Sequence, residues 1–258
     1  METHLFGSII FGPVRSRRLG LSLGINLLPA EKKVCTFECV YCECGWTEKK
    51  HESKLPKVNQ VVDALEKQLK AMIAEGEIPD VLTFAGNGEP TLHPEFNFIM
   101  KETVRLRNEL APSAKIAVLS NSTQLYKPLV AEALKMADKA ILKLDSTDPG
   151  QFRLINNPAA GIELEQIMRS LKDFDGNFIV QTLLLRGEFG GKRIDNINET
   201  SLNDLAAFVS SIGASEWMIY PIDRPTPDKN LEKIGKEEMD YAGSFLRKRT
   251  NVPVTVRY

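Results

Sequence analysis

Cysteine is absent from most of this chain: all 4 lie between positions 35 and 44 of a 258-residue sequence. A disulfide framework would spread its cysteines to staple distant segments, so that arrangement is excluded. Charge of one sign is lacking too. The formal net charge is −1, which argues against a broadly nucleic-acid-binding surface and leaves room only for local basic patches such as Arg15–Arg18 and Arg247–Arg249. No apolar run is long enough to cross a bilayer, so no membrane partner is expected. Arg15, Arg17 and Arg18 interrupt the N-terminal stretch before a signal-like apolar region forms. A cytoplasmic, reducing location is the resulting expectation. There is no internal repeat, low-complexity tract or linker to mark a boundary. Residues 1–258 are therefore expected to form one domain, with a short N-terminal extension and a terminal helix and strand.

Hydrophobic residues make up 43% of the chain, enough for a substantial core. Their periodicity alternates. Strand-like runs are expected at Ser22–Leu27, Val81–Ala85, Ile116–Leu119, Ala140–Leu144, Phe178–Leu184, Trp217–Tyr220 and Pro253–Val256. Helical spacing falls between them: Val58–Ile73, from near Pro94, Leu129–Lys135, Ile162–Phe174, Leu202–Ile212 and Glu237–Lys248. Alternation through the whole chain implies parallel βαβ units. About six units before the terminal strand are too few for a closed eight-unit barrel. The expected fold is α/β, a partial, open six-unit βα barrel with parallel strands.

Ligands of such folds collect at the carboxyl ends of the strands. Here those ends carry the cysteine loop, Gly86–Pro90, Ser120–Asn121 and Asp145. The cysteines read Cys35-Thr-Phe-Glu-Cys39-Val-Tyr-Cys42, a C-x3-C-x2-C spacing. Zinc sites pair two separated short-gap ligand sets; no second set exists, and His51 is poorly spaced to complete one. Three thiolates on one loop suit an iron–sulfur cube with its fourth iron open, and an open position is what makes a metal centre catalytic. Cys44 is open between a fourth ligand and a thiol beside the site, the tight Cys42-Glu-Cys44 spacing favouring the latter.

With Tyr41 immediately before its last cysteine, this loop resembles the signature of the radical S-adenosylmethionine superfamily. The resemblance implies a [4Fe–4S] cluster on Cys35, Cys39 and Cys42, whose open iron chelates the methionine moiety of S-adenosylmethionine. An electron from the cluster then splits the cofactor to a 5′-deoxyadenosyl radical, with Tyr41 as adenine neighbour. Phe84-Ala-Gly86-Asn-Gly88-Glu89-Pro90 resembles the superfamily's Gly-Gly-Glu-Pro segment, which binds the cofactor's amino group, with Asn87 inserted between the glycines. Gly88 and Glu89 are therefore stronger candidates than Gly86. Ser120, Asn121, Lys143 and Asp145 stand where the family places ribose or carboxylate contacts; the alternatives are a turn at Asn121 and an internal Lys143–Asp145 ion pair. Gln181 reads equally as a core amide or a cofactor contact. His93 belongs to a helix start, Trp217 to packing, and Trp46 to packing or to shielding of the cluster.

Phe11-Gly-Pro-Val-Arg15-Ser-Arg17-Arg18, Leu142-Lys-Leu-Asp145, Ile155-Asn-Asn157-Pro158 and Asp223-Arg224-Pro225 together resemble the iron–sulfur oxidoreductase group related to wyosine-synthesising tRNA-modifying enzymes. Asn157 departs from that group, where arginine is frequent. The net charge gives no support to a tRNA substrate. A small-molecule or nucleotide substrate, anionic and met by Arg15, Arg17, Arg18 or Arg224, is expected, with a flavodoxin- or ferredoxin-type electron donor. Two other readings compete: a glycyl-radical activase, whose usual Gly-Pro-Gly turn is missing, and a non-catalytic iron–sulfur or zinc module, which needs no Gly86–Pro90 segment.

Overall fold

The computed structural model describes residues 4–16, 19–47 and 54–258; Arg17, Arg18 and His51 lie outside them. Strands and helices alternate as the hydrophobic periodicity requires. In chain order they are β1 (Ile10–Ser16), β2 (Gly20–Ile25), α1 (Val58–Ala74), β3 (Val81–Phe84), α2 (Phe96–Leu110), β4 (Lys115–Ser120), α3 (Pro128–Lys135), β5 (Lys139–Lys143) and α4 (Pro149–Asn156). Then come α5 (Leu164–Asp173), β6 (Phe178–Leu184), β7 (Arg186–Phe189), β8 (Lys192–Asp195), α6 (Glu199–Ser210), β9 (Glu216–Pro221), β10 (Leu231–Glu232), α7 (Lys236–Arg247) and β11 (Val254–Val256).

The main sheet has the order β1-β2-β3-β4-β5-β6-β9-β11. Every pair from β2 onward is parallel, which supplies the six expected βα strands and the terminal strand. Its ends, β1 and β11, lie at opposite edges, so the barrel is open. Helix faces explain the layering. In α1, Val61, Leu65, Leu69 and Met72 form one buried stripe, the narrow apolar face of a helix lying on a sheet. β6 is buried at all of its positions, as a central strand covered on both faces must be. Side chains alternate across each strand. Ile141, Ile179 and Met218 therefore form a small second cluster with Leu19 and Leu119, apart from the main core.

Three features depart from the sequence expectation. The N-terminal segment contains β1, an antiparallel edge strand that bulges between Phe11 and Val14. Pro13 masks it in the sequence, yet edges and bulges are where strands tolerate proline. No helix is expected directly after Asp145, yet Ser146–Gly150 launches α4, with Pro149 in the first helical turn and Asp148 accepting from the Gln151 amide at 2.7 Å. Finally, β7, β8 and β10 build a separate three-stranded antiparallel sheet after β6. Among the described residues, no helix is long and apolar enough to cross a membrane.

Candidate functional site

The cysteine loop leaves β2 and is pinned from two sides. Val34 N–H donates to the Asn87 carbonyl at 2.8 Å, and Glu89 N–H donates back to the Val34 carbonyl at 3.0 Å. Glu38 N–H donates to the Asn157 carbonyl, Ala159 N–H to the Thr36 carbonyl, and Val40 N–H to the Ile155 carbonyl, so the end of α4 holds the loop from the opposite side. Asn157 sits at φ 39°, a left-handed position that asparagine tolerates better than most residues. Its contribution here is therefore through backbone.

All four cysteines are free thiols. Amide donors point at two of them. Phe37 N–H lies 3.4 Å from Cys35 Sγ, Asn121 Nδ2 3.5 Å from the same sulfur, and Asn156 Nδ2 3.5 Å from Cys39 Sγ. Burial pushes the Cys35 thiol well up and the Cys39 thiol to about 11, with neighbouring charges adding to both. Cys42 is drawn down, first by a hydrogen bond from the Cys44 thiol and then by the Lys33 ammonium. Cys44 itself lies 3.4 Å from the Gly86 carbonyl. Buried thiols of this kind stay neutral on their own, and an iron bound there would deprotonate its ligands outright. Among the described residues, no three His, Cys, Asp or Glu side chains close on one point as they would around a single ion. A cube takes one thiolate per iron and needs a wider triangle. The donor set fits that group: three thiols on one loop, amides aimed at sulfur, and a buried cation beside them.

The Gly86–Pro90 turn shows why glycine is required there. At Gly88 (φ +129°) a Cβ would stand 1.9 Å from the Val34 carbonyl oxygen, and at Gly86 (φ +138°) 2.5 Å from Asn26 Oδ1. Asn87 is fully buried, its amide donating to the Pro29 carbonyl at 2.8 Å and the Phe6 carbonyl at 3.0 Å, its Oδ1 accepting from Phe6 N–H at 2.8 Å. The residue that looks inserted is a clamp.

Glu89 lies beneath the turn, 2% exposed. Its carboxylate accepts from Thr91 N–H at 3.0 Å, the Thr91 hydroxyl, Ser120 Oγ at 3.0 Å and Asn121 N–H at 2.6 Å. Burial raises its pKa and these donors work against the rise. Ser120 and Asn121 are thus directed at Glu89 and, through Asn121 Nδ2, at Thr36 (2.8 Å) and Cys35. Asp145 has no exposed side-chain surface and is engaged throughout: by the Tyr41 hydroxyl, Asn156 Nδ2 at 2.7 Å, Leu183 N–H at 2.9 Å and Lys143 Nζ at 3.3 Å. Lys143 Nζ also donates to the Tyr220 hydroxyl at 2.8 Å and stands 4.9 Å from the centre of the Tyr41 ring. Burial lowers the pKa of Lys143, but the Asp145 carboxylate and the hydrogen bond to Tyr220 outweigh it and raise it.

The motifs at the ends of β2, β3, β4 and β5 therefore meet around one centre. Gln181 faces the cavities beside it, and its amide has Met218 Sδ at 3.7 Å. His93 accepts from Glu95 N–H at 3.2 Å at the start of α2. Trp217 is fully buried, and Trp46 stacks on Phe189 of β7 at 5.9 Å. Arg15 is exposed on β1, whereas Arg224 reaches the cavity next to Cys42 and pairs with Glu43 at 2.8 Å. Sequence reasoning misses two residues. Lys33 hides in a Lys-Lys pair that reads as solvated charge; its only signal is its place two residues before Cys35. Asn156 stands beside the more conspicuous Asn157-Pro158 and gives no signal that it reaches sulfur.

The family model of the radical SAM superfamily matches residues 33–195. A UPF0026 protein of Synechocystis sp. is 35% identical over 228 residues, covering 87% of this chain and 78% of that protein. A UPF0026 protein of Helicobacter pylori is 32% identical over 235 residues, covering 90% and 71%. Among solved structures, a radical SAM methyltransferase from Sphaerobacter thermophilus superposes with a TM-score of 0.64 at 16% identity, covering 92% of this chain and 66% of that one. An archaeal TYW1 superposes with a TM-score of 0.58 at 12% identity, covering 89% and 72%. At such identities these likenesses concern the fold, a partial barrel, and the matched family model carries the assignment: the chain belongs to the radical SAM superfamily, with UPF0026 proteins among its relatives, and is by that membership an enzyme.

Proposed function

We propose that this enzyme holds a [4Fe–4S] cluster on Cys35, Cys39 and Cys42 and uses it to cleave S-adenosylmethionine and begin radical chemistry on an anionic small molecule or nucleotide. The amide donors converging on the Cys35 and Cys39 sulfurs are the observation that carries this reading. When bound, the cluster supplies the electron that breaks the cofactor's carbon–sulfur bond. The chain's own groups do the rest. Gly86 and Gly88 let the turn close against Asn26 and the Val34 backbone beside the cofactor's methionine end, and Glu89, already oriented by four donors, presents negative charge to its ammonium group. Ser120 and Asn121 act as positioning residues for Glu89. Asp145 positions Tyr41 and Asn156, leaving Tyr41 and Lys143 to form the wall on the adenosine side. Cys44 is a neighbouring thiol and no ligand. The electron donor is a flavodoxin or ferredoxin, and a reducing cytoplasm suits four free thiols.

The test pairs two variants of anaerobically reconstituted protein. Wild type should hold about four irons and four sulfides per chain. Cys39→Ala should lose the cluster and form no 5′-deoxyadenosine at any cofactor concentration, and Cys44→Ala should keep its iron. Glu89→Gln should keep the cluster but bind S-adenosylmethionine roughly ten- to a hundredfold more weakly, the worth of one charge-assisted hydrogen bond. One zinc without labile sulfide in the purified wild type would overturn the assignment. A stable cluster with no cofactor cleavage would favour a non-catalytic module.

A further inference from the structure

The cavity that runs away from the cluster loop has a far wall that the radical SAM motifs do not contribute. It encloses about 260 Å³ and is lined by Tyr41 and Cys42 of the cysteine loop, by Gln181, Tyr220 and Arg224, and by Arg257, just beyond β11. Arg257 is fixed in place: its N–H donates to the Ile219 carbonyl at 2.9 Å, extending the β9–β11 ladder past the end of β11. Its side chain, half-buried, carries an unpaired donor. Among the described residues, Arg257 Nε is the one buried side-chain nitrogen or oxygen with no hydrogen-bond acceptor or donor.

Native proteins rarely leave a buried donor unpaired, and the exceptions call for an explanation such as a ligand. The acids near this wall are already engaged. Glu43 is bound by Arg224 at 2.8 Å, and Asp223 faces Lys233 at 3.8 Å. The Lys143 ammonium, bonded to the Tyr220 hydroxyl, is matched by Asp145 at 3.3 Å. The Arg257 Nε–H is thus a donor on this wall that still lacks an acceptor among the described residues. A guanidinium presents its N–H groups as a planar fork that matches the oxygens of a carboxylate or a phosphate.

We infer that Arg257 is a substrate-binding residue that receives the terminal oxyanion, carboxylate or phosphate, of a small substrate lying in this cavity with its reactive part toward Tyr41 and Cys42. The inference rests on the radical SAM reading for the direction of the substrate, and on this chain's own geometry for the anion site. Gln181, whose amide borders the same space, offers a neutral hydrogen bond to the body of the substrate.

The anion site is tested on the reconstituted protein with inorganic phosphate and acetate as separate probes. The Arg257 Nε–H resonance, assigned by its loss in Arg257→Lys, is followed in wild type during each titration, and binding is measured in parallel by calorimetry. Phosphate, acetate or both should shift this resonance, the stronger of the two naming the oxyanion class. Arg257→Gln should weaken that binding at least tenfold, while the exposed control Arg193→Gln leaves it unchanged. S-adenosylmethionine affinity and 5′-deoxyadenosine formation without substrate should stay within twofold of wild type in Arg257→Gln. An Nε–H signal unmoved by either anion overturns the inference, whether or not the variant folds. So does a large loss of cofactor affinity in Arg257→Gln, which would assign the residue to the cofactor's carboxylate. Failure of wild type to cleave S-adenosylmethionine, with anion binding intact, would instead count against the proposed function alone.

Discussion

Lys33 carries its ammonium group into almost complete burial, its side chain 1% exposed. The Nζ donates to the Gly45 carbonyl at 3.1 Å and stands 3.7 Å from Glu38. Burial alone lowers its pKa, but the sulfurs of Cys42 and Cys35, the Glu38 carboxylate and Cys39 outweigh that and hold it above the ordinary lysine value. Its charge is therefore a fixed part of the surroundings of the proposed cluster. Cluster potentials follow local charge and hydrogen bonding. Replacing Lys33 by Met should lower the midpoint potential by on the order of 50–100 mV, matching ~1–2 kcal/mol of interaction at an effective dielectric near 20. Spectroelectrochemical titration reads this directly, and an unchanged potential at full iron content would remove Lys33 from that role. At this scale the sequence showed the cysteines, because their spacing is itself the signal. It did not show Lys33 or Asn156, whose meaning lies in what they touch.

The turn after β3 illustrates how an element end is specified. Gly88 is needed for contact as well as for its φ, since a Cβ there would overlap the Val34 backbone one residue before Cys35. Gly76, after α1, has a positive φ of +77° and open space around it. Gly76→Ala should therefore cost only backbone strain, about 1–2 kcal/mol. Gly88→Ala must also displace the start of the cysteine loop. It should lower the melting temperature by several degrees more and reduce iron retention, which Gly76→Ala leaves intact. Thermal denaturation with iron analysis compares them; equal effects would show that the Val34–Gly88 approach is unimportant. The alternation of β and α elements was legible because each buries one regular face. β1, α4 and the β7–β8–β10 sheet were not, since proline, a turn-like Ser-Thr-Asp-Pro-Gly and short half-exposed strands carry little periodicity.

Across the whole molecule, Asn87 ties together parts of the chain that are far apart in sequence. Its side chain joins Phe6 and Pro29 to the end of β3. Asn87→Ala leaves buried backbone groups unpaired, at ~2–4 kcal/mol. The melting temperature should fall by about 5–12 °C, and the chain around Phe6 should become easier to cleave by limited proteolysis. Retention of the wild-type melting temperature would show that water replaces the amide without cost. The sequence by itself determined the parallel α/β class, the family and the C-x3-C-x2-C spacing of the cysteine loop, because hydrophobic period and residue spacing are local properties of a chain. Only the tertiary structure decided what the remaining polar residues do. Ser120 and Asn121 turn toward Glu89, Asp145 is consumed by Tyr41 and Asn156, and the buried Arg257 Nε–H is left without an acceptor. Each of these depends on which strand ends become neighbours in the sheet, and a hydrogen bond between residues 31 or 104 positions apart leaves no periodicity to read.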